Sequence, residues 1–233
     1  MKKIILSPPF SNICRNENCT NIIGTYTANK RKGLYRVLTT LRPAKNGWYN
    51  KVGLRNPGIE NIKYKESDIV SIHLFNKEDW HKIYEVLSNI NIDGIEINIS
   101  CPNVDKTFLN QEILDQALKT FKNVFVKLSN GYEYRDVIHL YERGINSFHI
   151  SNTMKTSSGG LSGISLVYNN ISLIKSLKRD LRSDVRIIGG GGIYDLNIAR
   201  LYKESGADYL SLSTVLLNPI KTKKLIKEIN EEF

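Results

Sequence analysis

From Ile69 onward the chain alternates short apolar runs with amphipathic stretches. Ile69-Val70-Ser71-Ile72-His73-Leu74 reads as a strand, and Glu78 to Asn89 as a helix with Trp80, Ile83, Tyr84 and Leu87 at helical spacing. The alternation continues through a strand at Gly94 to Ile99, a helix at Asn110 to Thr120, a strand at Val124 to Leu128 and a helix at Tyr134 to Arg143. It runs on through strands at Ser147 to Ile150, Val185 to Ile188 and Tyr209 to Leu212, with helices at Ile164 to Leu181, Leu196 to Ser205 and Thr222 to Asn230. Repeated strand–helix units imply a parallel sheet with both faces covered.

The first third is less regular. Ile4-Ile5-Leu6 and Ile22 to Tyr26 read as strands, and Lys45 to Gly58 is rich in turn residues. With those two added the strands number eight, which closes a (β/α)8 barrel. An open doubly wound sheet is the alternative, but no Gly-x-Gly-x-x-Gly follows the first strand. The reading is therefore an α/β chain, a (β/α)8 TIM barrel with reduced N-terminal helices. With no linker, low-complexity tract or repeat, residues 1–233 read as one domain.

Composition narrows the class. With 233 residues, 41% of them hydrophobic and 24% charged, the chain is not collagen-like, coiled-coil or wholly disordered. No stretch approaches the ~20 apolar residues that span a bilayer. Met1 to Pro9 reaches proline too soon for a secretory core, so a cytoplasmic location is expected. The three cysteines, Cys14, Cys19 and Cys101, form no closed disulfide set, and no second pair at zinc spacing accompanies Cys14 and Cys19, so no metal is expected. The net charge of +10 is scattered. Its densest runs, Lys30-Arg31-Lys32 and Lys221 to Lys227, lack interleaved aromatics, which favours a solvated basic surface over a nucleic-acid interface.

In such a barrel the chemistry sits where strands end. The polar residues at those places are Asn98, Cys101 and Asn103; Lys127; Ser151, Asn152 and Thr153; the glycine-rich run from Gly159 to Gly163; Gly189 to Gly192; and Ser213-Thr214. Gly189 to Gly192 leads into a helix starting near Asp195, where unobstructed N–H groups can approach a phosphate at the positive helix end. Ser213 and Thr214 would serve the same anion, although tight strand–helix packing would also use glycines. Lys127 ends an apolar strand, and an inward charge there needs an anion or an acceptor. Asn98, Asn103 and Asn152 offer paired donors and acceptors suited to a planar heterocycle. Cys101, among those amides, reads as a proton-transferring thiol rather than a small buried hydrophobe. Together these groups describe a phosphorylated heterocyclic cofactor beside a planar substrate.

The string Gly94-Ile-Glu-Ile-Asn-Ile-Ser-Cys-Pro-Asn103 resembles the signature of the dihydroorotate dehydrogenases, and other pieces follow in that family's order. They are Tyr49-Asn50-Lys-Val-Gly53-Leu54-Arg-Asn-Pro-Gly58, Val126-Lys127-Leu128, Asn152-Thr153, Gly159-Gly160-Leu-Ser-Gly163, Ile188 to Ile193 and Ser213-Thr214. The resemblance implies an FMN-binding barrel that oxidises dihydroorotate to orotate in pyrimidine synthesis. It makes Cys101 the base, as in the soluble, cysteine-type class, with hydride passing to the flavin. It assigns Lys127 and Asn98 to the flavin. It gives the substrate to Asn50, Gly53, Leu54, Asn98, Asn103, Asn152 and Thr153, and the cofactor also to Ser151, Gly160, Gly163, Gly191, Gly192, Ser213 and Thr214. It leaves room for a homodimer or an electron-transfer partner subunit, and leaves the acceptor open among fumarate, oxygen and NAD.

Some positions depart from that pattern. The first helix, between Phe10 and Ile22, is nearly absent, and the loops after Asn103 and Thr153 are short. The family's N-terminal lysine should fall near Thr25 to Ala28, where only Lys30 is close. Ser213 stands where the family usually has glycine. Two other readings follow: a tRNA dihydrouridine synthase-like FMN oxidoreductase, which shares a Cys-Pro motif, and a catalytically impaired flavin-barrel partner subunit.

Overall fold

A computed structural model describes residues 1–33, 35, 39–45, 47–51, 53–99, 108–128, 133–151, 153–181 and 183–233. Eight parallel strands close a barrel: β1 (Ile4–Leu6), β2 (Thr20–Tyr26), β5 (Ile69–Ile72), β6 (Gly94–Asn98), β7 (Val124–Leu128), β8 (Ser147–Ile150), β11 (Arg186–Gly190) and β12 (Tyr209–Leu212). Closure is by β1, which pairs with β2 on one side and with β12 on the other, Ile4 lying opposite Leu210. The barrel core is an inner layer of Ile5, Ile22, Ile69, Phe125 and Ile188, one inward residue from each of five strands. The larger apolar layer lies between the barrel and its helices.

Behind the strands run α1 (Lys77–Leu87), α2 (Gln111–Thr120), α3 (Tyr134–Glu142), α4 (Val167–Asp180), α5 (Leu196–Glu204) and α6 (Pro219–Glu232). Their starts are written locally. Asn76, Asn110, Asp195 and Asn218 each accept from the backbone N–H three residues on, and Glu133 with Asp136 forms a capping box. Each such cap contributes about 1 kcal/mol. The apolar stripe of α1, Trp80, Ile83 and Leu87, is buried as its spacing requires. No helix among the described residues is long and apolar enough to cross a membrane.

The connection after β1 agrees with the expected elements, and the structure departs from them in three later places. Between β1 and β2 the connection holds only a 3-10 turn at Phe10–Asn12, in keeping with a reduced first helix. α4 begins at Val167, after a 3-10 turn at Ile164–Leu166, because Gly163 at φ +122° turns the chain just before it. α6 begins three residues earlier than its apolar pattern suggests, since Asn218 caps it and Pro219 occupies the first turn. Finally, segments read as turns and loops form a four-stranded antiparallel sheet: β3 (Arg42–Ala44), β4 (Gly47–Asn50), β9 (Met154–Thr156) and β10 (Gly159–Gly163), in the order β3-β4-β10-β9. Backbone pairing makes these polar and glycine-rich stretches into strands: β3 with β4 and β9 with β10 form local pairs, and β4 joins β10 across the chain, Gly160 lying opposite Asn50 and Gly163 opposite Gly47.

Candidate active site at the strand ends

One pleat above the apolar inner layer the inward positions turn polar. Two residues after Ile5, Ile69, Phe125 and Ile188 come Ser7, Ser71, Lys127 and Gly190, and a strand repeats its facing every two residues. Above this polar layer opens a cavity of about 520 Å3, within the range of small-ligand sites. Its wall includes Ser7, Thr25, Asn50, Gly53, Leu54, Arg55, Asn98, Lys127, Ser151, Thr153, Ser162, Gly163, Gly191, Gly192, Ser211, Ser213 and Thr214.

The four glycines from Gly189 to Gly192 divide into two jobs. Gly189 and Gly190 belong to β11. A Cβ on Gly189 would stand 2.8 Å from the Ala207 Cβ and 2.9 Å from the Tyr202 ring, so this glycine serves packing. Gly191 and Gly192 form the turn into α5, and Gly192 combines φ +76° with a Cβ position 2.7 Å from the Gly163 carbonyl oxygen. The turn is held from behind: Asn170 Nδ2 donates to the Gly190 carbonyl across 2.8 Å, and the Tyr202 hydroxyl donates to that of Gly191 across 2.8 Å. Next to it Ser213 Oγ donates to the Pro8 carbonyl, 3.1 Å away, tying the end of β12 to the end of β1. Small residues, hydroxyls and a helix start therefore meet at one end of the cavity, which suits a phosphate.

The floor carries a hydrogen-bond chain across four strands. Asn98 Nδ2 donates to Thr25 Oγ1 (2.9 Å), the Thr25 hydroxyl lies 3.0 Å from Ser71 Oγ, and Ser71 Oγ donates to Glu96 Oε1 (2.7 Å). Because Ser71 spends its proton on the carboxylate, it accepts from Thr25, which in turn accepts from Asn98. The other Glu96 oxygen is bonded to His149 Nδ1. Strand register sets Asn98 beside Lys127 and Lys127 beside His149. Burial alone would push the Glu96 carboxyl up, but the Lys127 ammonium, His149 and the two hydrogen bonds outweigh it and hold it below the usual carboxylate range. Burial, and then the positive charge of Lys127, outweigh the pull of Glu96 on His149 and lower its proton affinity.

On the mouth side, β4 and β10 bring Asn50 against Gly160, with Asn50 Nδ2 3.5 Å from the Gly160 carbonyl oxygen. Asn56 fixes the following loop. It accepts from the N–H groups of Thr27 and Gly58 and donates to Thr27 Oγ1 and the Leu54 carbonyl. That places Gly53, Leu54 and the exposed Arg55 in the cavity wall.

The cavity thus gathers Asn50, Gly53, Leu54, Asn98, Lys127, Ser151, Thr153, Gly163, Gly191, Gly192, Ser213 and Thr214 from segments spread over the whole chain. Gly160 is buried in β10 beside this group and is not among the lining residues. Cys101, Asn103 and Asn152 lie outside the described residues. Sequence reasoning missed Ser7, Thr25, Ser211, Arg55 and the buried Glu96–His149 pair. The signal for the pair was present, since Glu96 and His149, like Lys127, interrupt apolar strands. Cys19 is inert, as burial pushes its thiol up to about 12.

Comparison with known proteins points one way. A family model described as dihydroorotate dehydrogenase matches residues 10–233. A relative from Brachyspira hyodysenteriae, named dihydroorotate dehydrogenase B (NAD(+)), catalytic subunit, is 28% identical over 240 residues, covering 88% of this chain and 78% of that one. A protein of the same name from Latilactobacillus sakei is 28% identical, covering 91% and 82%. A putative dihydroorotate dehydrogenase A (fumarate) from Pediococcus pentosaceus is 29% identical, covering 84% and 76%. Among solved structures, the ligand-free DHODH of Eimeria tenella superimposes with a TM-score of 0.69 at 18% identity, over 90% of this chain and 76% of that one, which shows a shared fold.

Proposed function

This chain belongs to the dihydroorotate dehydrogenase family, and from that premise we propose that it oxidises dihydroorotate to orotate with a bound FMN. The observation that carries the proposal is the convergence of a glycine–hydroxyl anion end, Lys127 and Asn98 on one cavity with the Asn50–Leu54 loop across from them. The residues present fit FMN. The turn at Gly191 and Gly192 and the hydroxyl-bearing end of β12, all in the cavity wall, suit its phosphate, and the volume of the cavity suits the rest of the molecule.

Bound there, FMN supplies a two-electron acceptor that the protein itself lacks. Gly191, Gly192, Ser213 and Thr214, with Gly160 and Gly163 beside them, hold the phosphate end, and Ser151 lines the same wall. Lys127, in the cavity wall, would hold the flavin with its ammonium and would favour negative charge there, an interaction worth more in this shielded floor than in water. Asn98 reaches both ligands. Asn50, Gly53, Leu54, Asn103, Asn152 and Thr153 hold the pyrimidine and its carboxylate. Cys101 is the base, removing the C5 proton of dihydroorotate as hydride leaves C6.

The experiment is a visible spectrum of the purified protein before and after anaerobic addition of dihydroorotate. A yellow protein that bleaches supports both cofactor and substrate. A yellow protein that stays yellow sinks the substrate assignment. The names of the relatives make NAD+ through a partner subunit the first acceptor to assay and fumarate the second.

A further inference from the structure

The inward faces of β6, β7 and β8 place a carboxylate, an ammonium and an imidazole together: Glu96, Lys127 and His149, with relative exposures of 0%, 6% and 0%. Lys127 reaches the cavity; Glu96 and His149 lie behind it and are not among the lining residues. Glu96 is held at both oxygens, by Ser71 at 2.7 Å and by His149. Among the described residues Lys127 makes no direct ion pair, so its ammonium is left to the cavity while the carboxylate sits behind. A charge fixed this firmly in a low-dielectric interior acts on everything nearby.

We propose that Glu96 is the counter-charge that sets the electrostatic potential at the Lys127 end of the cavity, and through it the relative affinity of the site for reduced and oxidised FMN. The inference rests on the FMN reading above. Reduction of the ring by two electrons and one proton leaves it with one more negative charge. The Lys127 ammonium favours that charge, and the Glu96 carboxylate opposes it from below. His149, kept neutral by its burial, bonds the carboxylate without cancelling it. Glu96 is thus a positioning and tuning residue that never touches the ligands.

Glu96→Gln isolates the charge. Its carbonyl oxygen can accept from Ser71, and its amide can donate to His149 Nδ1 once the imidazole proton moves to Nε2. That atom is buried without a partner among the described residues, so the tautomer change breaks no bond. The readout is the ratio of dissociation constants for oxidised and dithionite-reduced FMN, titrated into the full chain. The ratio should rise about tenfold in E96Q, which is about 1.4 kcal/mol in favour of the reduced ring. Glu96→Asp, which keeps the charge, should return it to within about threefold of the starting value. K127M should lower the ratio, and E96Q added to K127M should raise it again. That double variant buries neither charge and carries the test if E96Q alone does not fold. FMN uptake with a ratio unmoved by E96Q, or by E96Q over K127M, makes the pair merely structural and overturns the inference alone. Failure of the unaltered protein to take up FMN overturns the dehydrogenase reading and this inference together.

Discussion

The side-chain amide of Asn98 donates to the hydroxyl of Thr25 across 2.9 Å, so a residue at the end of β6 is oriented by one near the end of β2. The two strands are not paired with each other; β5 lies between them and supplies Ser71 to continue the chain. Thr25→Val keeps the shape and removes the hydroxyl. It should cost about 1–2 kcal/mol in urea denaturation, since Asn98 and Ser71 both lose a partner. The turnover measurement is the decisive one: kcat/KM for dihydroorotate should fall by about tenfold, and an unchanged value would show that the chain does not orient Asn98.

Cys101→Ala tests the base directly. The variant should bind FMN as before, with turnover reduced by at least about a hundredfold, the scale of a lost general base. Retained turnover at neutral pH would remove Cys101 from the mechanism.

Two glycines separate backbone strain from close approach. Gly53 has φ +69° and open space around its Cβ position, so Gly53→Ala should cost only about 1 kcal/mol. Gly192 has φ +76° and would drive a Cβ to within 2.7 Å of the Gly163 carbonyl oxygen and 2.8 Å of the Ile164 Cα. Gly192→Ala should therefore destabilise by more, about 2–4 kcal/mol, and weaken FMN binding at the phosphate end. Equal costs for the two in thermal denaturation would sink the distinction.

Acid should destabilise this protein in two steps. Burial lowers the folded proton affinities of His73 and His149 below that of an ordinary histidine, about 6.5, so the unfolded chain binds more protons as pH falls past it, and stability is lost. Lys127, His149 and its two hydrogen bonds hold the Glu96 carboxyl below an ordinary glutamate, about 4.5, so its stabilisation is present above that pH and lost as pH falls further. Urea midpoints should be level above about pH 7, decline from about pH 6.5 and fall more steeply below about pH 4.5. A flat profile between pH 7 and pH 5 would contradict the histidine part.

The barrel was legible because its strands are covered on both faces and so read as apolar runs, Val124 to Leu128 being a clear case. The sheet at the mouth was not. Gly159 to Gly163 has no apolar alternation, and a partner more than 100 residues away completes it as a strand, as Asn50 and Gly160 are 110 apart, while Arg42-Pro43-Ala44, equally without alternation, pairs with the neighbouring Gly47–Asn50. Lys127 announced itself as a charge in an apolar strand. Glu96 and His149 did so equally, but their meaning depends on the register between strands, which no single strand carries. Gly189 and Gly190 looked like part of a ligand turn, and only the approach of Ala207, Tyr202 and Ser211 reveals them as packing glycines.

Pairing of Ile4 with Leu210 makes the first strand wait for the last. On the ribosome, β1 and β2 emerge early, yet β1 keeps one unsatisfied edge until residues 209–212 have cleared the exit tunnel. Throughout that interval the nascent chain exposes an apolar three-residue strand, Ile4-Ile5-Leu6, to any neighbouring edge. Synthesis that stalls or ends before β12 would leave an open sheet prone to self-association, so dependence on chaperones should persist until that strand is free to pair.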